Sequence, residues 1–250
     1  MTPLSRILCP IDFDEHSGRA VARAQDLACR HGAELRLLHV LPRRPESLLL
    51  PTPAAADEME RAATIHLDGL AKLIREAGVR CEVSVVRGDP ALHILQAARD
   101  DDDDLIVMAT HGRRGVSRVV LGSVTEAVLH ATPCPLLTIP PRAPGVGGNF
   151  SRVLCAVDFA PSSPATFAHA LAMVHDSYGE LTVLNVIDPV FSATPVDAAR
   201  TSAERALASL HGRVAAEVAS WCVVRDAVRF GDTATEVLKA ATEGETHLIV

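Results

Sequence analysis

The sequence of 250 residues predicts an α/β protein made of two tandem copies of one domain, each with a parallel β-sheet flanked by helices. Three observations favour this fold class. Sequence blocks recur in the same order, apolar segments alternate between strand-like and helix-like patterns, and hydrophobic residues make up 48% of the chain while aromatic residues make up 3%. A core with so few aromatic rings has to be built from aliphatic side chains, which is typical of parallel sheets buried on both faces.

Four blocks of the first copy return in the second, and this repetition indicates a duplication. The pairs are ILCPIDF at 7–13 and VLCAVDF at 153–159, ELRLLHVLP at 34–42 and ELTVLNVID at 180–188, GDPALHILQAA at 88–98 and GDTATEVLKAA at 231–241, and LIV at 105–107 and 248–250. The first two pairs are 146 residues apart and the last two are 143 residues apart. A short deletion therefore lies between the second and third blocks.

The segment PPRAPGVGGN at 140–149 is rich in Pro and Gly, which is typical of a linker. We therefore predict a first domain over 1–141, a linker over 142–150 and a second domain over 151–250. The second copy reaches Val250 within its predicted fourth strand, so it lacks counterparts of the segments that end the first copy. We expect this copy to be incomplete as given, and truncation of the chain is the favoured explanation.

Hydrophobic periodicity places alternating strands and helices in the first copy. The predicted strands are 6–12, 34–41, 79–87, 104–109 and 135–140, and the predicted helices are 16–31, 55–77, 89–99 and 123–131. This alternation is typical of βαβ units and predicts an open, five-stranded parallel sheet. Gly32 and Gly78 follow helix patterns, where a left-handed residue often ends the helix. The last strand, 135–140, is expected at a sheet edge, where it could pair with another copy.

Charge and cysteine content exclude several classes of protein. A net charge of -7 disfavours a nucleic-acid partner. Six scattered cysteines in apolar runs, without a CxxC pair, are expected to be buried free thiols in a reducing compartment. The sequence shows neither a signal-peptide pattern nor an apolar run long enough for a membrane helix. We therefore expect a cytoplasmic protein without a membrane partner, and the histidine spacing predicts no metal site.

Candidate ligand-binding residues follow the carboxyl ends of the predicted strands, where open parallel sheets bind ligands. Asp12 ends the first strand, Val40 ends the second, and Met108 and Ala109 end the fourth. Asp12 could instead only cap the following segment. His39, one residue before Val40, is expected to be a core or edge histidine with satisfied hydrogen bonds. The acidic run 100–104 is expected to be a solvated turn.

The stretch that follows the fourth strand has the features of an anion site. Gly112 and Gly122 permit close approach of backbone N–H groups to an oxyanion. Ser123 and Glu126 have the spacing of a capping box at the start of a helix, and a helix N-terminus attracts phosphate. Arginines could add charged contacts, although each one singly is better explained as a surface charge. These arginines are Arg113, Arg114 and Arg118.

The pattern Ala109-x2-Gly112-x9-Gly122-Ser123 resembles the G-x2-G-x9-G-[ST] motif of ATP-binding universal stress proteins, with alanine in place of the first glycine. Neither GxxxxGK[ST] nor GxGxxG after the first strand is present. The resemblance extends over both copies, and the chain is similar to a tandem-domain member of that family. It implies two Rossmann-like domains of the adenine nucleotide alpha hydrolase-like type.

The resemblance also implies a binding site in the first domain and a function. Asp12 would hold the adenine end of the nucleotide, Val40 and Met108 would contact the base, and the glycine-rich end would hold the phosphates. The expected binding residues are Pro10, Ile11, Asp12, Val40, Met108, Ala109, His111, Gly112, Arg113, Gly122, Ser123 and Val124. His111 could equally be a residue of the connection without a role.

The expected ligand is ATP, or the related nucleotides AMP or ADP, with Mg²⁺ as a companion of the phosphates. The implied role is that of a stress-response regulator that is not an enzyme and has no catalytic residue. A slow ATP hydrolase and a nucleotide-independent adaptor protein are the alternatives, and a cyclic nucleotide is an alternative ligand. The resemblance further implies intramolecular packing of the two domains and a homodimer.

Overall fold

The computed structural model describes residues 4–42, 53–110, 121–141, 150–175, 177–190, 195–212 and 221–250. The chain divides into two compact units, which lie within Thr2–Gly147 and Gly148–Val250. Both are α/β units with parallel sheets, as the sequence predicts. Residues 142–149 of the predicted linker 142–150 lie outside the described residues, and the position of the linker stays a prediction.

The first unit is a five-stranded sheet with the strand order β3-β2-β1-β4-β5. All neighbouring strands are parallel. The elements are β1 (Arg6–Pro10), α1 (Glu15–His31), β2 (Glu34–Pro42), α2 (Pro53–Glu76), β3 (Cys81–Gly88), α3 (Pro90–Asp100), β4 (Leu105–Ala109), α4 (Ser123–Ala131) and β5 (Leu136–Ile139). The strand β5 lies at one edge of this sheet, as expected.

Two boundary differences in the first unit bear on the candidate site: β1 ends at Pro10 rather than at residue 12, and β2 continues past Val40 to Pro42. Asp14 caps α1 by accepting a 2.7 Å hydrogen bond from the Ser17 N–H, so the residues between Pro10 and Asp14 form the turn into the helix. Gly32 and Gly78 have φ of 65° and 88°, and the prediction that they end helices in the left-handed conformation is confirmed.

The core of the first unit has helices on both sides of the sheet. Leu8 of β1 and Ile106 of β4 are fully buried against α3 and α4, together with Val128 of α4. Right-handed crossovers place α1 and α2 on the opposite face, where α1 packs on β1 and β4 and α2 packs on β2 and β3. The strand β1 is therefore covered on both faces and has a strand neighbour on each side.

The second unit repeats this arrangement with four strands in the order β8-β7-β6-β9. Its elements are β6 (Arg152–Ala156), α5 (Ser163–His175), β7 (Glu180–Ile187), α6 (Val196–His211), β8 (Val223–Phe230), α7 (Thr233–Glu243) and β9 (Leu248–Ile249). Leu95 of α3 is 9% exposed because α4 packs beside it, whereas its counterpart Leu238 of α7 is 61% exposed. Repetition of the sequence block has not led to equal burial.

The acidic run 100–104 differs from the expected solvated turn. Asp103 is buried, and its Oδ2 accepts a 2.6 Å hydrogen bond from Arg36 of β2. Asp101 pairs with the same guanidinium at 2.5 Å. Asp104 Oδ2 accepts the backbone N–H groups of Ser5 (2.6 Å) and Arg6 (3.0 Å). The run therefore fastens the α3–β4 turn to the amino ends of β1 and β2.

The cysteines are free in all six cases, and four of them are buried in the core. Burial raises the pKa of Cys9 to about 12 and that of Cys81 to about 11, which suppresses thiolate formation. Cys29 in the last turn of α1 is exposed, which contradicts the expectation that every cysteine is buried. Among the described residues, no helix is long and apolar enough to cross a bilayer.

We expect Leu95→Ala and Leu238→Ala to differ in their effect on stability although the two positions are equivalent in the repeat. Leu95→Ala leaves a cavity between α3 and α4 and should lower the free energy of unfolding of the first unit by about 2–4 kcal/mol. Leu238→Ala removes a mostly exposed side chain and should change the free energy of unfolding of the second unit by less than about 0.5 kcal/mol. Native-state hydrogen exchange of peptides from β4 and β6 measures each unit separately. Equal losses at the two positions would contradict the burial difference.

Asp103 should make the stability of the first unit depend on pH. Burial raises the pKa of Asp103 above its ordinary 3.8, while Arg36 opposes this shift. A raised folded-state pKa stabilises the protein at low pH, and this contribution is lost as pH rises through the folded pKa. The free energy of unfolding of the wild type minus that of Asp103→Asn should therefore fall as pH rises from about 3.8 and become constant above the raised pKa.

The measurement is urea unfolding followed by circular dichroism at several pH values. Fluorescence of Trp221, the one tryptophan of the chain, reports the second unit and serves as the internal control. If the difference in free energy of unfolding between wild type and variant increases with pH, Arg36 lowers the pKa of Asp103 more than burial raises it.

Candidate functional site

The strand order of the first unit defines a crevice at the carboxyl edge of the sheet. From β1 the chain moves outward to β2 and β3 on one side, and it returns through α3 to β4 on the other. The order reverses between β1 and β4, and ligands bind at such a point in open α/β sheets. Pro10 ends β1 and Ala109 ends β4, so both predicted site residues lie at this edge.

Asp12 follows β1, and its carboxylate is fixed by the start of α1. The Ser17 hydroxyl donates to Asp12 Oδ1, and the Asp14 N–H donates to the same oxygen at 3.3 Å. The Ser17 hydroxyl also accepts the Asp12 N–H at 3.2 Å, and Ser17 is buried. In the part of the chain that the structure describes, the hydrogen bonds of this carboxylate all go to Oδ1. The half-buried group therefore has a defined orientation.

Ile11 continues the pairing of β1 for one more residue and then meets a histidine. Its N–H donates to the Leu38 carbonyl at 2.9 Å, and its carbonyl lies 2.7 Å from Nδ1 of buried His39. Because a carbonyl only accepts, Nδ1 must carry the proton. The expectation that His39 is a satisfied core histidine is confirmed.

Phe13, which the sequence analysis did not single out, has an unusual conformation beside Asp12. Its φ is 64°, a left-handed value that a bulky side chain rarely adopts and that costs on the order of 1–3 kcal/mol. Its ring centroid lies 4.4 Å from that of His39 and 4.5 Å from that of His66 on α2. The only signal in the sequence was the repeated Asp-Phe pair at 12–13 and 158–159.

Val40 and Met108 lie beneath the crevice and belong to the core. They are 7% and 6% exposed and pack with Ile94 and Leu95 of α3. Val124 of α4 is half-buried against the same cluster. Only a small part of each of these two side chains is exposed, so they can form an apolar floor rather than side walls.

The helix α4 begins differently from the capping box expected at Ser123 and Glu126, and this prediction is wrong. Gly122 is the N-cap, with φ −60° and ψ 143°, and among the described residues no side chain caps the helix. The Gly122 carbonyl accepts the Glu126 N–H at 2.9 Å, which makes Ser123 the first helical residue and removes its hydroxyl from the capping position. The first-turn N–H groups therefore face the crevice edge without a side-chain cap.

The start of α4 is tied directly to the end of β4. The Gly122 N–H donates to the Thr110 carbonyl at 2.7 Å, and Thr125 Oγ1 donates to the Ala109 carbonyl at 3.0 Å. The chain that leaves β4 after Thr110 therefore returns to the same place. His111, Gly112 and Arg113 fall between these anchors and lie outside the described residues, as do Arg114 and Arg118.

The second unit contains the same turn after its first strand. Asp158 Oδ1 accepts the Ala160 N–H at 2.9 Å and the Ser163 hydroxyl at 3.1 Å. These donors hold the pKa of Asp158 below its ordinary value. Asn185 replaces His39 and donates to the Val157 carbonyl at 2.8 Å. Phe159 has φ 62°, but within the described residues no aromatic ring packs on it.

No metal site is visible among the described residues, where no three His, Cys, Asp or Glu side chains come together. The described residues at the crevice offer a carboxylate at one side, an apolar floor, and the N–H groups of the first helical turn at the other side. A carboxylate accepts hydrogen bonds from hydroxyl or amino groups, and a helix N-terminus accepts an anion. Such a crevice matches a ligand that is neutral at one end and anionic at the other.

Comparison with known proteins identifies the family to which this parallel α/β fold belongs. The model of the universal stress protein family matches residues 3–140 and again 149–250. The chain therefore belongs to the universal stress protein family, with two family domains in tandem.

Relatives and solved structures support the assignment. A universal stress protein of Thermus aquaticus is 36% identical over 136 residues, which cover 53% of this chain and 96% of the relative. Universal stress protein MJ0531 of Methanocaldococcus jannaschii is 30% identical over 138 residues, 54% of this chain and 81% of the relative. A universal stress protein structure from Archaeoglobus fulgidus has a TM-score of 0.74 at 24% identity, covers 98% of this chain and 83% of its own, and shows the fold.

We expect Thr125→Val to loosen the connection between β4 and α4. The variant keeps the shape and branching of the side chain but loses the hydrogen bond to Ala109, which is worth about 0.5–1.5 kcal/mol. Amide hydrogen exchange in α4 should become about 2- to 10-fold faster. Thr125→Ser, which retains the hydroxyl, should exchange like the wild type. Unchanged exchange in Thr125→Val would show that this hydrogen bond does not anchor the helix.

Proposed function

We propose that the first unit binds ATP, or the related nucleotides AMP or ADP, in the crevice between β1 and β4, and that the bound nucleotide regulates a stress-response function. The observation that carries the proposal is the uncapped first turn of α4 at the switch point of the sheet. Partial positive charge and N–H groups without an acceptor inside the helix favour phosphate at that turn. Membership of the universal stress protein family supports the same conclusion.

The nucleoside end of the ligand is assigned to the β1 side. The oriented carboxylate of Asp12 would accept hydrogen bonds from ribose hydroxyls or from the adenine amino group. Pro10 and Ile11 would contribute backbone contacts, and the floor formed by Val40 and Met108 would lie against the base.

The phosphate end is assigned to the β4–α4 side. Gly122, Ser123 and Val124 would offer backbone N–H groups, and Ala109 would lie beside them at the end of β4. His111, Gly112 and Arg113 belong to this proposed end of the site on the sequence motif alone. We include Mg²⁺ in the proposal as an ion that accompanies the bound phosphates. Its contribution can be measured as the difference in nucleotide affinity with and without a chelator.

We further propose that the protein acts in the cytoplasm as a regulator rather than as an enzyme, and that it forms a homodimer. In the described part of the first unit, β5 has a strand neighbour on one side only, so its other side could pair with another copy. Sedimentation velocity of the wild type, compared with Thr138→Pro in β5, tests this association because proline removes a backbone donor from the strand. A monomeric wild type at micromolar concentration would contradict the homodimer.

Replacing Gly122 by Asp should weaken phosphate binding without destabilising the fold. Aspartate at an N-cap accepts first-turn N–H groups and stabilises the helix relative to glycine by a few tenths of a kcal/mol. Its negative charge would also repel phosphate, so we expect Gly122→Asp to weaken ATP binding about 10-fold or more. Gly122→Asn supplies a similar cap without the charge and should lose less affinity. Isothermal titration calorimetry measures the affinities, and thermal melting without ligand measures the stability.

Three outcomes separate the proposed function from its alternatives. A wild type that binds ATP tightly and turns it over negligibly supports the regulator. Multiple turnovers of ATP by the wild type, lost in Gly122→Asp, would show that the protein is an ATP hydrolase and not the proposed regulator. A wild type that carries no nucleotide in mass spectrometry of the denatured protein, and binds none on titration, would contradict nucleotide binding and favour the adaptor protein.

A further inference from the structure

Three rings from three different elements meet beside Asp12, and we call them the ring stack: His39 of β2, Phe13 of the β1–α1 turn and His66 of α2. The Phe13 ring is inclined at 36° to His39 and at 26° to His66, with centroid distances of 4.4 and 4.5 Å. His39 is buried and His66 is exposed on the helix surface. The stack therefore extends from the edge of the core to the surface of α2.

The ring stack contains Phe13, the residue of the turn that has a strained backbone conformation. A phenylalanine with φ 64° remains in that conformation only if its surroundings favour it, and its ring packs against His39 and His66. Asp12 directly precedes Phe13, so the backbone conformation at Phe13 determines where the two residues on either side of it point. A contact made by α2 thus lies one residue away from the Asp12 carboxylate.

The second unit shows that the turn can fold without this stack. Phe159 adopts φ 62°, and Asp158 is held by Ala160 and Ser163, although Asn185 occupies the place of His39. Phe159 is 37% exposed. Among the described residues, the turn of the second unit therefore forms with these hydrogen bonds and without a ring stack, and the two histidines are an addition found in the first unit.

The start of α2 is itself fastened near the same edge of the sheet. Arg87, next to the end of β3, pairs with Asp57 at 2.6 Å and with Glu60 at 2.5 Å, both in the first part of α2. Farther along the helix, Ala63 and Leu67 are buried, and His66 lies between them in the sequence. The helix therefore has a fixed place, from which His66 can support Phe13.

We propose that His66 and Phe13 are positioning residues of the nucleotide site: by stacking with His39 they hold Asp12 in the orientation that binds the nucleoside, and so make affinity in the first unit depend on the placement of α2. The inference rests on the proposed function. It assigns a role to a helix residue that need not touch the ligand, and it predicts that His66 acts only through Asp12.

The test is a double-mutant cycle on ATP binding by the full chain, measured by isothermal titration calorimetry. Loss of an aromatic contact of this kind corresponds to a change of about 2- to 10-fold in an equilibrium constant, so His66→Ala should raise the Kd for ATP by that factor. His66→Phe, which retains a ring, should restore the Kd to within about 2-fold of the wild type. In the Asp12→Asn background, His66→Ala should change the Kd by less than about 2-fold.

Two controls separate positioning from general damage. His169→Ala removes an exposed helix histidine from the second unit and should leave the Kd unchanged. His39→Asn introduces the residue found at the equivalent place in the second unit, keeps a donor for the Ile11 carbonyl and loses the ring. It should fold, melt within a few degrees of the wild type and bind ATP as weakly as His66→Ala.

The possible failures can be told apart. If the wild type binds ATP and His66→Ala binds equally well, the positioning role is wrong while the proposed function stands. If His66→Ala weakens binding by the same factor in the wild-type background and in the Asp12→Asn background, His66 does not act through Asp12, and the inference is overturned. A wild type without affinity for ATP contradicts the proposed function itself and removes the basis of the inference.

Discussion

The pairing of β1 with β2 on one side and β4 on the other is the constraint on which the first unit depends. Ile7 and Leu8 of β1 are almost completely buried, and in-register parallel hydrogen bonds connect β1 to both neighbours. Once β1 is central, the crossovers must diverge from it, and a crevice opens where its carboxyl end meets that of β4. The carboxylate of Asp12 and the start of α4 lie at this crevice because they follow directly where these two strands end.

A second constraint is the need to satisfy backbone groups where β1 stops pairing. The carbonyl of Ile11 is the last one directed toward β2, and a buried carbonyl without a donor would be costly. His39 supplies the donor in the first unit, and Asn185 supplies it for Val157 in the second. Two different side chains thus solve one local problem, but only the imidazole adds a ring on which Phe13 can stack. This difference distinguishes the two copies where their hydrogen bonds do not.

Charged side chains connect the amino ends of the strands. Arg36 enters the α3–β4 turn and pairs with Asp101 and buried Asp103, while Asp104 accepts two backbone N–H groups from the start of β1. Breaking a buried pair of this kind leaves an uncompensated charge, which is strongly destabilising. The two edges of the sheet therefore differ in role. Ion pairs and hydrogen bonds connect β1, β2 and the α3–β4 turn at the amino edge, and the candidate site lies at the carboxyl edge.

The sequence alone determined the duplication, the fold class and most element boundaries. These follow from short-range regularities: a repeated order of blocks, a hydrophobic period for each element, and glycines such as Gly32 where only a left-handed residue ends a helix well. The spacing of Gly122 and Ser123 after the fourth strand also located the start of α4 to the residue. Such features depend on neighbours in the chain and can therefore be inferred without coordinates.

Only the tertiary structure decided which side chains meet across long intervals of sequence. Asp103 reaches Arg36, 67 residues away, so a charge run that usually faces solvent is partly buried. The N-cap of α4 is Gly122, which donates a hydrogen bond to the Thr110 carbonyl, and not Ser123, as the spacing to Glu126 suggested. The stack of Phe13 on His66 depends on which face α2 turns to the sheet. The physical reason is common to all three: packing selects these contacts from many that the local pattern allows.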